Sequence, residues 1–197
     1  VRRQRQMCIR DSHNIDNVRE AFKTGKGVNY SDSHPCIFSG TARFFRPSYS
    51  ANLLEKWIPA IPSVEKKLQD GCNFADIGCG FGVSSLMIAN AFQNSKIYGF
   101  DIHRPSIENA NKEAKQMKIN NAIFEVADAE NYDGEFDIIT FFDCLHDMGD
   151  PLGASKYAFN HLKNDGTLIL IEPSAADDPE ENFNTIGNRY DHCCSKK

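Results

Sequence analysis

The stretch Ala75 to Gly82, ADIGCGFG, sets Gly78, Gly80 and Gly82 between a strand-like run, FADIG, and a helical one, Val83 to Phe92. A glycine loop in that context lets the backbone turn tightly and approach a ligand closely, because no Cβ stands in the way and positive φ carries no penalty. The same alternation continues downstream. KIYGFD is strand-like, and Pro105 to Met117 is helical with Ile107, Ala110, Ala114 and Met117 on one face. AIFEV (Ala122 to Val126), FDIITFF (Phe136 to Phe142), a helical Gly153 to Leu162 and TLILIE (Thr167 to Glu172) follow. Five near-continuously apolar strands alternating with helices predict an α/β fold, a Rossmann-like, doubly wound parallel sheet covered on both faces. Ligands in that architecture bind beyond the carboxyl ends of the strands, at the switch point.

Acids stand where such a ligand would lie. Asp101 ends the second strand about 20 residues after the loop, the interval at which a carboxylate accepts hydrogen bonds from a ribose hydroxyl pair. Asp128, in VADAE after the third strand, is placed to receive the exocyclic amine of adenine; the competing reading is a solvated loop acid. Nucleoside binding alone leaves a nicotinamide dinucleotide-binding oxidoreductase in play. The dinucleotide pattern GxGxxG counted from Gly78 requires glycine where Val83 stands. Asp76, two residues before the first glycine, would repel a pyrophosphate but suits a cationic amino-acid ligand. S-adenosylmethionine carries a sulfonium and an ammonium, and the loop with its acids fits it better.

At 197 residues, 41% of them apolar, the chain can build one proper core. A formal net charge of -5 argues against general nucleic-acid binding, which needs clustered cations, and favours a small-molecule substrate. The seven cysteines, Cys8, Cys36, Cys72, Cys79, Cys144, Cys193 and Cys194, lack zinc-finger spacing and follow no secretory signal, so they read as reduced thiols of a cytoplasmic protein. No apolar run is long enough to span a bilayer, so no membrane partner is expected.

Residues 1–12, VRRQRQMCIRDS, have no helical or strand periodicity and read as a non-native leader. Residues 13–70 read as an N-terminal helical cap or lid. Ile15, Val18 and Phe22 recur at helical spacing, a turn-rich stretch follows Gly25 and Gly27, and two short helical patterns lie between Tyr49 and Leu68. Residues 71–175 form the cofactor-binding core, and 176–197 a polar tail without further strand pattern.

An acid followed by GxGxG resembles the first motif of class I S-adenosylmethionine-dependent methyltransferases, a likeness that covers Cys72 to Glu172. More narrowly, GTARFFRPSYSANLLEKWIPA, YGFDIH, FDCLHDMGDP and LILIEP resemble a largely uncharacterised group of these enzymes that carries an upstream winged-helix domain. That domain and the last two strands of the usual seven-stranded sheet are absent here, so the chain is expected to be a fragment. The resemblance implies that Asp76, Gly78, Cys79, Gly80 and Gly82 form the loop around the methionine moiety. It also implies that Asp101 with Ile102 holds ribose and adenine, that Asp128 with Ala129 touches the adenine, and that Asp143 faces the sulfonium and the substrate.

The reactive end is then FFDCLHDMGDP, with Asp143, Cys144, His146, Asp147 and Asp150 after the fourth strand. Methyl transfer is an in-line displacement, accelerated by holding donor and acceptor collinear in a dry pocket. A base is needed only where the acceptor loses a proton. His146 is the candidate, with Asp147 or Asp150 orienting its ring, and LHDMGDP resembles the LHDW stretch of plant-type O-methyltransferases. The plainer alternative is a histidine satisfying loop backbone. Cys144 reads as packing rather than nucleophile. No metal is expected, since one short loop holding His146, Asp147 and Asp150 is thin support for a cation site. Arg43 and Arg46, beside Phe44 and Phe45, read as a packed cap with solvated guanidinium groups, the alternative being a lid over an anionic substrate. The loop does not match the (N/D/S)PP(Y/F) motif of amino-group DNA methyltransferases. The expected function is methyl transfer to a small molecule at oxygen, with a non-catalytic S-adenosylmethionine-binding module as the rival.

Overall fold

The computed structural model describes residues 15–174 and 176–182; the leader at 1–12, the tail from 183 onward, Cys8, Cys193 and Cys194 lie outside them. The chain divides into two compact units, one spanning Ala42–Glu172 and the other made of the residues before and after it. Of the segment 13–70, the residues from Ala42 onward belong to the same unit as the sheet.

The elements of that larger unit follow from the alternation in the sequence. Strands β1 (Asn73–Ile77), β2 (Lys96–Asp101), β3 (Ala122–Val126), β4 (Phe136–Phe142) and β5 (Leu162–Ile171) form one sheet in the order β3-β2-β1-β4-β5. Every pairing is parallel. The order reverses between β1 and β4, which makes the carboxyl ends of these two strands the switch point. Central strands β1 and β4 are buried almost throughout, whereas β3, at an edge, buries only Phe124. That contrast is what covering both faces of a parallel sheet produces.

Alternation along the strands sorts the core. Phe74, Ile97 and Ile138 pack on one face with Val83, Ile88 and Ala89 of the helix Val83–Ala91, and with Tyr49, Leu53, Val64 and Leu68 from the preceding segment. Ala75, Ile77, Phe100, Ile139 and Phe141 pack on the other face against Ala154 and Ala158 of the helix Pro151–His161. Full burial of a side chain such as Phe74 or Phe141 contributes about 1.5–3 kcal/mol. In chain order the helices are α1 (Ile15–Thr24), α2 (Pro35–Asn52), α3 (Pro62–Asp70), α4 (Val83–Ala91), α5 (Arg104–Met117) and α6 (Pro151–His161).

The turn-rich stretch expected after Gly27 is instead largely the 18-residue α2. Pro35 opens it, where a missing N–H costs nothing, and Phe38, Ala42, Phe45 and Tyr49 recur on one face. Gly40 and Pro47 inside the helix hid that stripe. α2 then runs into a π-helical turn, Leu53–Trp57, that buries Leu53 completely.

Candidate functional site

The glycine loop leaves β1 at Ile77 and enters α4 at Val83, and Gly78, Gly80 and Gly82 take φ values of 71°, 53° and 70°. Each sits in the left-handed region that favours glycine. A Cβ on Gly78 would stand 2.8 Å from the Cys144 Sγ, and one on Gly82 would stand 2.7 Å from the Phe124 ring. A Cβ on Gly80 would meet nothing within 4 Å, so this glycine presents bare backbone to open space. The loop is fixed from below: the Gly78 and Cys79 amides both donate to the Phe100 carbonyl, at 2.8 and 3.0 Å. The Cys79 thiol is buried, and burial raises its pKa well above the ordinary value.

Contacts link the five strand ends. Asp101, closing β2, accepts the Gly80 amide on Oδ2 and the His103 amide on Oδ1, each at 2.8 Å. One amide per oxygen leaves lone pairs for a hydroxyl pair, since a carboxylate offers about four acceptor sites. Ile102 beside it is 52% exposed, an apolar surface next to a polar group. The Ala127 amide reaches the Asp101 carbonyl at 3.2 Å, tying the end of β3 to that of β2. Asp128 itself is exposed, with Oδ1 accepting the Glu130 amide at 3.1 Å, and Ala129 is half-buried. On the other side the Cys144 thiol donates to the Ile77 carbonyl at 3.1 Å, joining the loops after β1 and β4.

Asp76 lies under the loop rather than on its surface. It is 1% exposed, and its Oδ2 accepts from Ser84 Oγ at 2.7 Å and Ser85 Oγ at 2.6 Å. The carboxylate thus braces the first turn of α4 against β1. Burial raises its pKa from 3.8 to about 6, against the hydrogen bonds from Ser84, Ser85 and Thr140. A carboxyl whose folded-state pKa is raised stabilises fully below its unfolded value, and that contribution is lost as pH rises through the folded one. Asp76→Asn is therefore expected to gain stability over the parent as pH rises from about 4 to 6, by on the order of 1–3 kcal/mol, in thermal melts across that range. A gap that is flat with pH would show that the buried charge costs nothing.

At the reactive end, Asp143 follows β4 with φ 53°, unusual for a residue with a side chain, and its amide donates to the Ile171 carbonyl at 2.8 Å. Burial, then the charge of Glu172, pushes its pKa up to about 6, while the nearby His146 and Tyr49 oppose the rise. His146 stands in the 3₁₀ turn Leu145–Asp147, and its Nδ1 hydrogen-bonds Glu172 Oε2. Its Nε2 is 3.6 Å from Asp147 Oδ1, beyond hydrogen-bond reach. Glu172 Oε1 also accepts the Leu145 amide at 2.9 Å and the Cys144 amide at 3.3 Å. The residue that orients the ring is therefore Glu172, not Asp147 or Asp150. Asp150 instead caps α6 through the Gly153 amide at 2.8 Å. Glu172 is visible to the rule that selects Asp101, an acid at the carboxyl end of a strand, but in TLILIE it reads as the last letter of a strand. Arg43 and Arg46 are exposed on α2, and burial raises the pKa of the Cys144 thiol. Among the described residues no group of three or more His, Cys, Asp or Glu is placed to hold a metal ion.

Residues 68–196, more than half of the chain, match the family described as a methyltransferase domain. The uncharacterized methyltransferase YcgJ of Bacillus subtilis is 31% identical over 107 residues, which cover 53% of this chain and 42% of that protein. Its crystal structure superposes with a TM-score of 0.53 at 27% identity, covering 58% of this chain and 49% of that one. A probable cobalt-precorrin-6B C(15)-methyltransferase (decarboxylating) of Methanosarcina acetivorans is 34% identical over 77 residues, covering 39% of this chain and 42% of that protein. The chain thus spans less than half the length of these two curated relatives. The [4+2]-cyclase SpnF shares the fold, at TM-score 0.51 and 20% identity over 75% of this chain and 50% of that one, a likeness of fold alone.

Proposed function

The chain belongs to the methyltransferase-domain family, of the class I, S-adenosylmethionine-dependent kind, and from that premise we propose that it methylates a small molecule at an oxygen atom with His146 as the base. The observation that carries this reading is the hydrogen bond from His146 Nδ1 to Glu172. A carboxylate on Nδ1 fixes the tautomer that leaves the Nε2 lone pair free, and the side chain is 47% exposed, open to an acceptor.

The cofactor supplies an electrophilic methyl group on a sulfonium, and the residues present fit it. Gly80 turns bare backbone to open space in the loop formed with Gly78, Cys79 and Gly82. Asp101 keeps acceptor capacity for ribose hydroxyls, Ile102 offers an apolar face to adenine, and Asp128 with Ala129 borders its far edge. Asp143 faces the cationic sulfur, and Asp76 adds negative charge from beneath the loop. The net charge of -5 supports a small substrate over a nucleic acid. No helix of the described residues is long and apolar enough to cross a membrane, and the described cysteines, Cys36, Cys72, Cys79 and Cys144, are free, which supports a cytoplasmic setting.

Single-turnover transfer of a labelled methyl group into a metabolite extract tests the reading. Transfer to an oxygen supports it, whereas tight binding without transfer favours a non-catalytic S-adenosylmethionine-binding module. Asp101→Ala is expected to weaken S-adenosylmethionine binding by about 1.5–3 kcal/mol, the worth of hydrogen bonds to a charged group, in calorimetric titration. Unchanged affinity would remove Asp101 from the ribose site.

A further inference from the structure

Glu172 meets His146 with one carboxylate oxygen and the backbone with the other. Its Oε1 accepts two successive amides, that of Cys144 at 3.3 Å and that of Leu145 at 2.9 Å. The amide before them, that of Asp143, donates to the Ile171 carbonyl at 2.8 Å. Three consecutive N–H groups thus converge on the end of β5. The backbone is shaped for it: Asp143 is left-handed, with φ 53°, and Cys144 follows with φ -143° and ψ -21°. Successive amides in such a turn form a nest for an anion, and here the chain's own carboxylate fills it. We propose that Glu172 is a positioning residue for Asp143: by filling this nest it holds Asp143 in the left-handed conformation that carries its carboxylate toward the cationic sulfur of the methyl donor. The proposal rests on the reading that Asp143 faces that sulfur, and it is separate from the part Glu172 plays in orienting His146.

A left-handed φ is unfavourable for a residue with a Cβ, so the surrounding contacts must hold it. The peptide unit is planar, and each residue turns only about the two bonds that join its flanking planes. The Asp143 amide lies in the plane before its Cα, and the Cys144 amide lies in the plane after it. With the first bonded to the Ile171 carbonyl and the second to Glu172 Oε1, both planes are fixed, and with them the direction of the Asp143 Cα–Cβ bond. From the other side the Cys144 thiol donates to the Ile77 carbonyl at 3.1 Å, so the turn is tied to β1 as well as to β5. The Glu172 side chain is 25% exposed, which leaves its contacts partly shielded from competing water.

Reach and charge separate in two substitutions. Glu172→Gln removes the charge but keeps an oxygen in the nest, whereas Glu172→Asp keeps the charge and draws it back by one methylene. S-adenosylmethionine and S-adenosylhomocysteine differ in the charge on sulfur, so the ratio of their affinities reports how the Asp143 carboxylate faces it. Calorimetric titration at pH 8, above the value of about 6 for Asp143, keeps that carboxylate ionised throughout. Glu172→Asp is expected to shift the ratio against S-adenosylmethionine by about 3- to 10-fold, the scale of one partly shielded charge contact, and Glu172→Gln by less than about 2-fold. Glu172→Ala, which empties the nest, should shift it as Glu172→Asp does and stands in if that variant does not fold. In an Asp143→Asn background the ratio is already low, and Glu172→Asp adds nothing. An equal loss of both ligands, a shift in Glu172→Gln as large as in Glu172→Asp, or a shift that persists without Asp143 overturns the proposal. If Asp143→Asn itself keeps the parent ratio, the placement of Asp143 falls and the proposal with it. Failure of the parent to bind either ligand overturns the cofactor reading itself.

Discussion

His146→Ala is expected to bind S-adenosylmethionine as the parent does and to transfer methyl groups about 10²- to 10⁴-fold more slowly, the contribution of a positioned general base. Cofactor affinity is expected to survive because the groups proposed to border the cofactor, the Gly80 backbone, Asp101 and Ile102, lie on the loop after β1 and at the end of β2, not in the turn Leu145–Asp147. Turnover falls because a neutral oxygen acceptor must lose its proton as the carbon–oxygen bond forms. The pH profile carries a second expectation. Burial lowers the pKa of His146, but the hydrogen bond to Glu172 and the charges of Asp147, Glu172 and Asp143 outweigh it, leaving the ring above its ordinary value. The proposed base is the deprotonated ring, so the single-turnover rate should rise with pH through that raised value. Glu172→Gln removes the charge yet retains an acceptor oxygen for the Leu145 amide, so the rising limb should move to lower pH. An His146→Ala variant that turns over at the parent rate removes the histidine from the chemistry, and the acceptor then needs no base.

What the sequence revealed and what it hid divide along physical lines. The five strands and the helices between them were legible from Cys72 onward because each strand is a short apolar run and α5 has a clear stripe in Ile107, Ala110 and Ala114. The segment before Leu53 was less legible because its stripe, Phe38, Ala42, Phe45 and Tyr49, is interrupted by Gly40 and Pro47. The acids at the ends of β1, β2 and β3 were found by position, but position does not reveal which way a side chain points. Asp76 shares a face with Phe74, two residues earlier, and that face is packed against α4. Its burial was readable from the period of the strand. Glu172 was missed because its three acceptor contacts come from a loop more than 20 residues away, and long-range pairing leaves no local pattern.

Gly82→Ala is expected to cost about 2–5 kcal/mol of stability and to lower the melting temperature by about 5–20 °C, whereas Gly80→Ala costs only about 1–2 kcal/mol. Both positions are left-handed, so both carry the conformational penalty of a side chain at φ 70° and 53°. They differ in what the new methyl group meets. At position 82 it would stand 2.7 Å from Phe124 Cε1 and 3.1 Å from Ala110 Cβ. The phenyl ring cannot easily yield, because the same edge, through Cδ1 and Cε1, also lies over Gly99, where even a Cβ would stand 2.5 Å away. Phe124 is the buried residue of β3, wedged between two glycines and α5, so overpacking there displaces a strand or a helix rather than a flexible side-chain end. At position 80 the methyl group enters open space, the space assigned to the cofactor. Gly80→Ala should therefore remain folded but bind S-adenosylmethionine more than 10-fold less tightly, while Gly82→Ala should lose stability first and affinity as a consequence. Thermal melting and calorimetric titration on the two variants separate these outcomes. If Gly80→Ala binds the cofactor as the parent does, the bare backbone at position 80 is not where the ligand approaches.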